Sequence, residues 1–344
     1  MNQAKCSASG VSTAFTVALS TVSFLAIAGN LLVITTFIKT PNLKASSNYY
    51  IVSMAVSDLV CVSLNWPLYA TEGMLKAGGS LFSDPTLATL FCKLGIYSRA
   101  VSYLVSILSL VLILVDRFIA IVFPLRTLNI TARTRKMFLF LSWFLSLLSV
   151  VPFFVHAEII KIEQNTFCRN IMSDLALKIY NFLSFTFFYC APLILILVLY
   201  PVIMKHLRRR EKLDKGNKGT IQAARVTQNK NIMKIFGSVT LGFFTCWTPL
   251  YVYLFLKMLY PSIFIKDKCA VFVGLFYYIF PLLSTAINPL MLISFSSNYR
   301  GALKGVFSRL FLKCNSLSES LIERTVELQL RVQRSNMNKI SPKS

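Results

Sequence analysis

Five stretches of this chain contain no Asp, Glu, Lys or Arg, and each is long enough to cross a lipid bilayer. They cover residues 6–38, 137–157, 179–204, 235–256 and 269–299, running for 33, 21, 26, 22 and 31 residues. A helix rises 1.5 Å per residue, so about 20 residues span the hydrocarbon core. Two further stretches are broken only by internal charges: 45–71 holds Asp58 alone, and 100–125 holds the adjacent pair Asp116 and Arg117. Soluble domains carry about 25% charged residues, whereas this chain carries 14% beside 55% hydrophobic. The expectation is an all-α membrane protein, a bundle of seven transmembrane helices in one domain.

The approximate spans are 12–38, 47–74, 89–123, 134–157, 175–207, 228–258 and 268–294, within a membrane domain of 12–294. Residues 1–11 form an outer N-terminus, 295–314 a short amphipathic helix lying in the interface, and 315–344 a cytoplasmic tail. The first run is too long for a signal-peptide core and lacks a basic region followed by a small-residue cleavage site, so it reads as a retained span.

Charge sets the orientation. The formal net charge of +23 resembles a nucleic-acid binder's until it is mapped onto loops. With the N-terminus outside, 26 of the 36 Lys and Arg residues fall in the cytoplasmic loops and tail. That asymmetry follows the positive-inside rule and predicts a multi-pass protein whose N-terminus lies on the outer side. The basic run "KHLRRREKLDKGNK" at 205–218 then faces anionic lipid headgroups or a partner at the inner surface. No fold for nucleic-acid recognition remains outside the spans.

Cys61, Cys190 and Cys246 fall within spans and read as packed thiols. Cys92, at the outer start of span three, and Cys168, in the outer loop after span four, face the oxidising side and are candidates for a bridge. The single Asn-x-Ser/Thr triplet, Asn129-Ile130-Thr131, falls on the cytoplasmic side. Prolines 67, 152, 192, 249, 281 and 289 sit inside spans, where membrane helices tolerate kinks. After span seven, Phe295, Tyr299, Leu303, Phe307, Leu310 and Phe311 share one helical face, with Arg300, Lys304, Arg309 and Lys313 elsewhere. Cys314 then lies where palmitoylation would anchor it.

Each span also carries a distinctive residue: Asn30 in "GNLLV", Asp58 in "MAVSDLV", Asp116-Arg117-Phe118, Trp143, Pro192, "FFTCWTP" with Trp247 and Pro249, and "NPLML" with Asn288 and Pro289. In that order, with Cys92 and Cys168, they resemble the rhodopsin-like family of G-protein-coupled receptors across the whole core. Asp116 follows Cys92 by 24 residues, about 36 Å of helix at 1.5 Å per residue, which carries span three across the membrane. The charged pair therefore meets the cytoplasmic interface.

The resemblance implies an extracellular ligand and a heterotrimeric G protein as partners, with arrestin, a receptor kinase and membrane lipids beside them. It implies that Arg117, beside Asp116, helps hold the resting state and later packs beneath the G protein. Asn229 stands where many relatives have an acid, so no strong ionic lock between spans three and six is expected. Asp58, Ser106, Ser284 and Asn288 occupy the places that surround an allosteric sodium ion in the family. Oxygen-only ligands suit such a hard cation; the alternative is a protonated Asp58 that only hydrogen-bonds its neighbours. No other cofactor is implied. Pro192, Ile107 and Phe243 match the family's packing triad, with Trp247 one turn above Phe243. Tyr200 matches the inner tyrosine of span five, but Leu292 stands where its usual tyrosine partner would be, so that pair cannot form in the usual way. Some peptide receptors of the family also suggest a second bridge, Cys6 to Cys269; the alternative is that Cys6 belongs to a disordered N-terminus.

The pocket narrows the ligand. Leu282 stands where opsins carry the retinal-binding lysine, so no Schiff base is expected. Arg99 stands where amine receptors place an aspartate, which disfavours a protonated amine and favours an anion or a carbonyl-rich ligand. Arg99 has two other options, pairing with Glu72 or snorkelling outward. Tyr103, Trp247, Tyr251 and Tyr278 would line an aromatic pocket around it. The loop "HAEIIKIEQNTFCRNIMSD" (156–174) partly alternates apolar and polar residues, as a hairpin over a peptide pocket would. A neuropeptide-type receptor is the leading reading, with a receptor for a small anionic lipid or carboxylic acid as the alternative. A transporter would need a polar pathway or paired discontinuous helices, yet only Asp58 is an isolated deep acid. An enzyme is not expected: His156 and His206 lie at opposite membrane faces, and no metal or nucleophile cluster is visible.

Overall fold

A computed structural model describes residues 8–43, 48–72, 84–124, 131–162, 165–213, 221–260, 275–296, 299–305 and 308. Span one is α1 (Ala8–Lys39), span two α2 (Asn48–Glu72) and span three α3 (Pro85–Val122). Span four is made of two pieces, α4 (Ala132–Ser149) and α5 (Val151–Val155). A hairpin of β1 (Ala157–Ile162) and β2 (Asn165–Asn170) follows, antiparallel, with Ile159 opposite Cys168. Span five runs from α6 (Asp174–Ser184) through a π-helical turn, Phe185–Cys190, into α7 (Ala191–Leu213). Span six is α8 (Ile221–Leu259); span seven is a π-helical turn, Leu275–Ile279, leading into α9 (Phe280–Phe295).

Six of these spans, with their π-helical turns counted in, are continuous helical stretches long and apolar enough to cross a bilayer. The fourth falls short as one helix because Arg133, Arg135 and Lys136 occupy its first turns and Pro152 interrupts it. A proline ring displaces the carbonyl four residues back and removes one donor. Nearby carbonyls find side chains instead: Tyr97 donates to Leu147 O at 2.8 Å and Tyr180 to Ser149 O at 3.1 Å. Such substitution is how membrane helices absorb prolines.

Span three runs through the middle of the bundle, buried without a break from Val101 to Ile107. A helix buried on all sides must be apolar or have its polar groups met. Its neighbours are chiefly spans two, four and five, with span six beside it at Tyr103. On the outside the chain is reversed in character: Phe24, Phe140, Phe187, Ile194, Leu197 and Leu241 are each at least 60% exposed, the face a lipid-bathed bundle presents. Polar and small residues tie helix to helix. Asn30 Nδ2 donates to Ala26 O and, across to span seven, to Thr285 O at 3.0 Å. Trp143 Nε1 donates to Ser53 Oγ on span two at 2.8 Å. A Cβ on Gly29 would meet Pro289 Cγ at 2.8 Å, so only glycine permits that approach of spans one and seven.

Several helix ends differ from the expected limits. Span three begins at Pro85, earlier than 89, because Asp84 accepts from Thr86 N at 2.9 Å and proline suits the first helical position. Span five extends past 207 to Leu213, its basic residues being good helix formers, and Glu211 there pairs with Lys230 of span six at 2.7 Å. Span four ends at Val155, because the hairpin begins at Ala157. After span seven the helix breaks at Ser296 and resumes at 299–305, with Tyr299 buried against Val33, Phe37, Leu43 and Leu292. Arg300 Nη1 donates back to Ser294 O. Cys6, Cys269, Phe307, Arg309, Leu310, Phe311, Lys313, Cys314, the tail from 315 and the side chain of Glu72 lie outside the described residues.

Candidate functional site

At the outer face, Cys92 near the start of span three is bonded to Cys168 on β2, with Cα atoms 5.5 Å apart. The bond fixes the hairpin to span three. Lys93, the next residue, donates to the carbonyls of Phe154 and Val155 at 3.3 and 3.1 Å, capping the end of span four beside it.

Below the hairpin, Tyr103 is the hub of an aromatic cluster. Its ring centroid lies 4.3 Å from Trp247, 5.7 Å from Phe243 and 6.0 Å from Tyr251, and its hydroxyl donates to Phe188 O at 2.8 Å. Tyr251 in turn packs on Tyr189 at 4.7 Å and Phe185 at 5.4 Å. Tyr189 shares a 2.6 Å hydrogen bond with Thr248 on span six. Phe185, Phe188 and Tyr189 escaped the sequence reading because they lie on the π-helical turn. One extra residue per turn rotates that stretch inward, and period-3.6 spacing does not register it.

Arg99 sits on the opposite flank. Its Nη2 donates to Asn65 Oδ1 of span two at 3.3 Å, and its guanidinium lies 5.1 Å from the Tyr278 ring centroid on span seven. Arg99 therefore faces spans two and seven within the bundle, while Tyr103, one turn below, faces spans five and six. Asn65 was not expected; it also donates to Cys61 O at 2.8 Å and Ser98 Oγ at 3.2 Å. It lies seven residues after Asp58, two turns along the same face, and that spacing is the signal that could have found it.

At mid-membrane, Asp58 is 1% exposed and accepts from Ser102 Oγ at 2.7 Å, Asn288 Nδ2 at 3.2 Å and Ser106 Oγ at 3.5 Å. Ser284 is engaged elsewhere: it accepts from Trp247 Nε1 at 3.1 Å and donates to Pro281 O at 2.7 Å. Ser102, one turn before Ser106, takes the nearest place. Asn288 Oδ1 has no hydrogen-bond partner among the described residues. The oxygens gathered here, a carboxylate, two hydroxyls and an amide oxygen, fit a hard cation such as sodium.

Ile107 and Phe243 lie together in the core, each at most 1% exposed, and Pro192 is buried just past the π-helical turn of span five. At the inner end, Asp116 is held from two sides, by Arg117 Nη2 at 3.2 Å and by Arg135 Nε of span four at 2.9 Å. Arg135 had no sequence signal joining it to Asp116. Asn229 of span six lines the same inner cavity as Arg117. Tyr200 stacks near Phe236 at 6.3 Å, and a Cβ on Gly237 would meet its hydroxyl at 2.8 Å.

Residues 29–292 match the 7 transmembrane receptor (rhodopsin family). The chain belongs to that family. Among its relatives, neuromedin-U receptor 2 of Mus musculus is 30% identical over 323 residues, 87% of this chain and 76% of the relative. Growth hormone secretagogue receptor type 1 of Homo sapiens is 30% identical over 289 residues, 80% of this chain and 75% of the relative. A rhodopsin, GQ-coupled, of Mizuhopecten yessoensis is 29% identical over 243 residues, 67% of this chain and 47% of the relative. As a rhodopsin-like G-protein-coupled receptor the chain is a multi-pass plasma-membrane protein and not an enzyme.

Proposed function

We propose that this receptor binds an extracellular peptide beneath the β1–β2 hairpin and activates a heterotrimeric G protein at its cytoplasmic face, with its N-terminus outside. The observation that carries the reading is the hairpin itself, bonded through Cys168 to the outer end of span three above the Tyr103 cluster. An antiparallel lid of this kind offers backbone groups and a broad rim, which suit a peptide. Relatives named for neuromedin-U and for growth hormone secretagogues support the same ligand class. Arg99 favours a ligand that brings a carboxylate or several carbonyls to the flank shared with Asn65 and Tyr278. That preference keeps the small anionic ligand as a second reading. Arrestin, a receptor kinase and inner-leaflet lipids complete the expected partners at the basic cytoplasmic surface.

When bound, a sodium ion at Asp58 would supply a positive charge shared with Ser102, Ser106 and Asn288 between spans two, three and seven. Those three residues hold and orient the carboxylate, and Ser284 links Trp247 to the same span as Asn288. Ligand contact at Tyr103 and Trp247 bears directly on Phe243 and thus on span six.

The experiment is guanine-nucleotide exchange on purified G proteins by the full chain in lipid nanodiscs, screened against neuropeptides and, separately, against fatty and other carboxylic acids. Saturable exchange with a peptide supports the reading. Exchange driven only by the acids selects the second reading, and solute flux without exchange overturns both.

A further inference from the structure

Among the described residues, the inner ends of the spans carry two carboxylates, Glu211 and Asp116, and Asp116 is claimed by two arginines at once. Its side chain is 6% exposed. Arg117 Nη2, from the next residue on span three, meets Oδ2 at 3.2 Å, while Arg135 Nε, from span four, meets Oδ1 at 2.9 Å. Each oxygen thus has its own guanidinium, and the two like charges repel each other across the carboxylate. Arg135 also stands where its own helix disfavours it. It is the fourth residue of α4, whose start is capped by Thr131 Oγ1 accepting from Thr134 N at 3.2 Å. The positive end of a helix dipole opposes a base in the first turn. Pairing with Asp116 offsets that cost and sets a second cation beside span three.

With both arginines in place, Arg135 supplies part of what Asp116 needs. Once Arg117 turns away, Arg135 supplies all of it. A buried carboxylate stripped of its partners is strongly destabilising, so releasing Arg117 is costly where no other cation stands by. An interaction worth more in one arrangement than in the other shifts the balance toward the first. Building on the receptor reading, we propose that Arg135 is a positioning residue for G-protein coupling: it keeps Asp116 paired in place of Arg117 and so frees Arg117 to pack beneath the G protein. The two ends of this one ion pair then act in opposite directions. Losing Arg135 leaves Arg117 as the remaining partner of Asp116 and tightens its hold, whereas losing the Asp116 carboxylate releases both arginines. A contact that merely tied span three to span four would move coupling the same way from either end.

The probe is purified heterotrimeric G protein of each α class, free of nucleotide, added without agonist to the full chain in lipid nanodiscs. The readouts are its half-saturating concentration, per folded receptor, and the thermal unfolding midpoint. Arg135→Gln should raise the half-saturating concentration roughly fivefold. Arg135→Lys, which keeps the charge without the Nε–H, should raise it less. Asp116→Asn should lower it, although both Arg135→Gln and Asp116→Asn lower the unfolding midpoint. In the Asp116→Asn background Arg135→Gln should change nothing further, since the carboxylate through which it acts is gone. Should Arg135→Gln fail to fold, Arg135→Lys decides, with at least twofold weaker binding expected. Unchanged or tighter binding in the deciding variant, or an equal loss with and without the carboxylate, overturns the role, because Arg135 then acts as a tether or touches the G protein itself. A native chain that binds no G protein of any class overturns the receptor reading, and the role of Arg135 falls with it, so the two failures are distinguishable.

Discussion

Replacing Asp58 by asparagine removes a charge from the middle of the bundle while keeping the shape that Ser102, Ser106 and Asn288 grip. If the carboxylate holds sodium, the ion favours the resting arrangement, and raising sodium lowers agonist affinity; linkage makes the two effects reciprocal. Asp58→Asn is then expected to abolish the sodium dependence with the thermal midpoint little changed. Agonist binding measured across a sodium series checks this, and a variant that still responds to sodium rules the site out. Arg99 gives a second expectation. Arg99→Ala should weaken an anionic agonist by about 2–5 kcal/mol, with Arg99→Lys restoring only part, because lysine lacks the planar two-pronged donor. Potency at matched surface expression measures it; full potency in Arg99→Ala removes Arg99 from the ligand contacts. Both positions were legible because a charge in a long apolar run is conspicuous. Their partners were less so. Ser102 and Asn65 are ordinary polar residues in a membrane helix, and only their one-turn and two-turn spacing from Ser106 and Asp58 marks them. Ser284 was placed beside Asp58 by resemblance, whereas its hydroxyl is already engaged by Trp247 and Pro281 O.

Uncharged length locates an element, but its ends and irregular turns depend on contacts elsewhere in the bundle. Seven apolar runs gave seven spans, yet the run at 137–157 became two helices and then a strand. The break follows from Pro152, while the carbonyl partners Tyr97 and Tyr180 come from spans three and five. The π-helical turn at Phe185–Cys190 has no proline or glycine inside it to announce it. Its consequence is large, since it turns Phe185 and Tyr189 onto Tyr251. The hairpin was readable from partial alternation, and its anchorage from the side of the membrane its cysteine faced. Cys92→Ala and Cys168→Ala are each expected to abolish ligand binding or surface expression, because the bond closes a loop of 76 residues between span three and the lid. Removing a native disulfide costs about 2–5 kcal/mol where the fold relies on it. Surface labelling and radioligand binding test this; wild-type binding by either variant would separate the lid from ligand capture.

Across the whole molecule, the family resemblance implies that ligand contact is passed through Pro192, Ile107 and Phe243 into an outward swing of span six, and Gly237 lies where span six meets span five. Gly237 on span six approaches Tyr200 on span five so closely that an added Cβ would lie 2.8 Å from the hydroxyl, 3.3 Å from Cζ and 3.4 Å from Cε2. The Tyr200 ring also packs on Phe236, with centroids 6.3 Å apart, so moving it aside disturbs that contact. Overpacking of this kind costs typically about 1–3 kcal/mol. The cost falls on the arrangement seen here, and an outward swing of span six would relieve it by separating the two residues. A ligand or a substitution shifts such an equilibrium only by its difference between the two states, and here that difference favours the open one. Gly237→Val is therefore expected to raise basal nucleotide exchange several-fold and to increase agonist affinity. Adding Tyr200→Ala, which removes the ring that the new side chain strikes, should return basal exchange toward that of Tyr200→Ala alone. The four proteins, assayed at equal amounts on the same G protein, form a double-mutant cycle. Basal exchange unchanged in Gly237→Val, or raised equally with and without the Tyr200 ring, would mean that this contact does not hold span six closed.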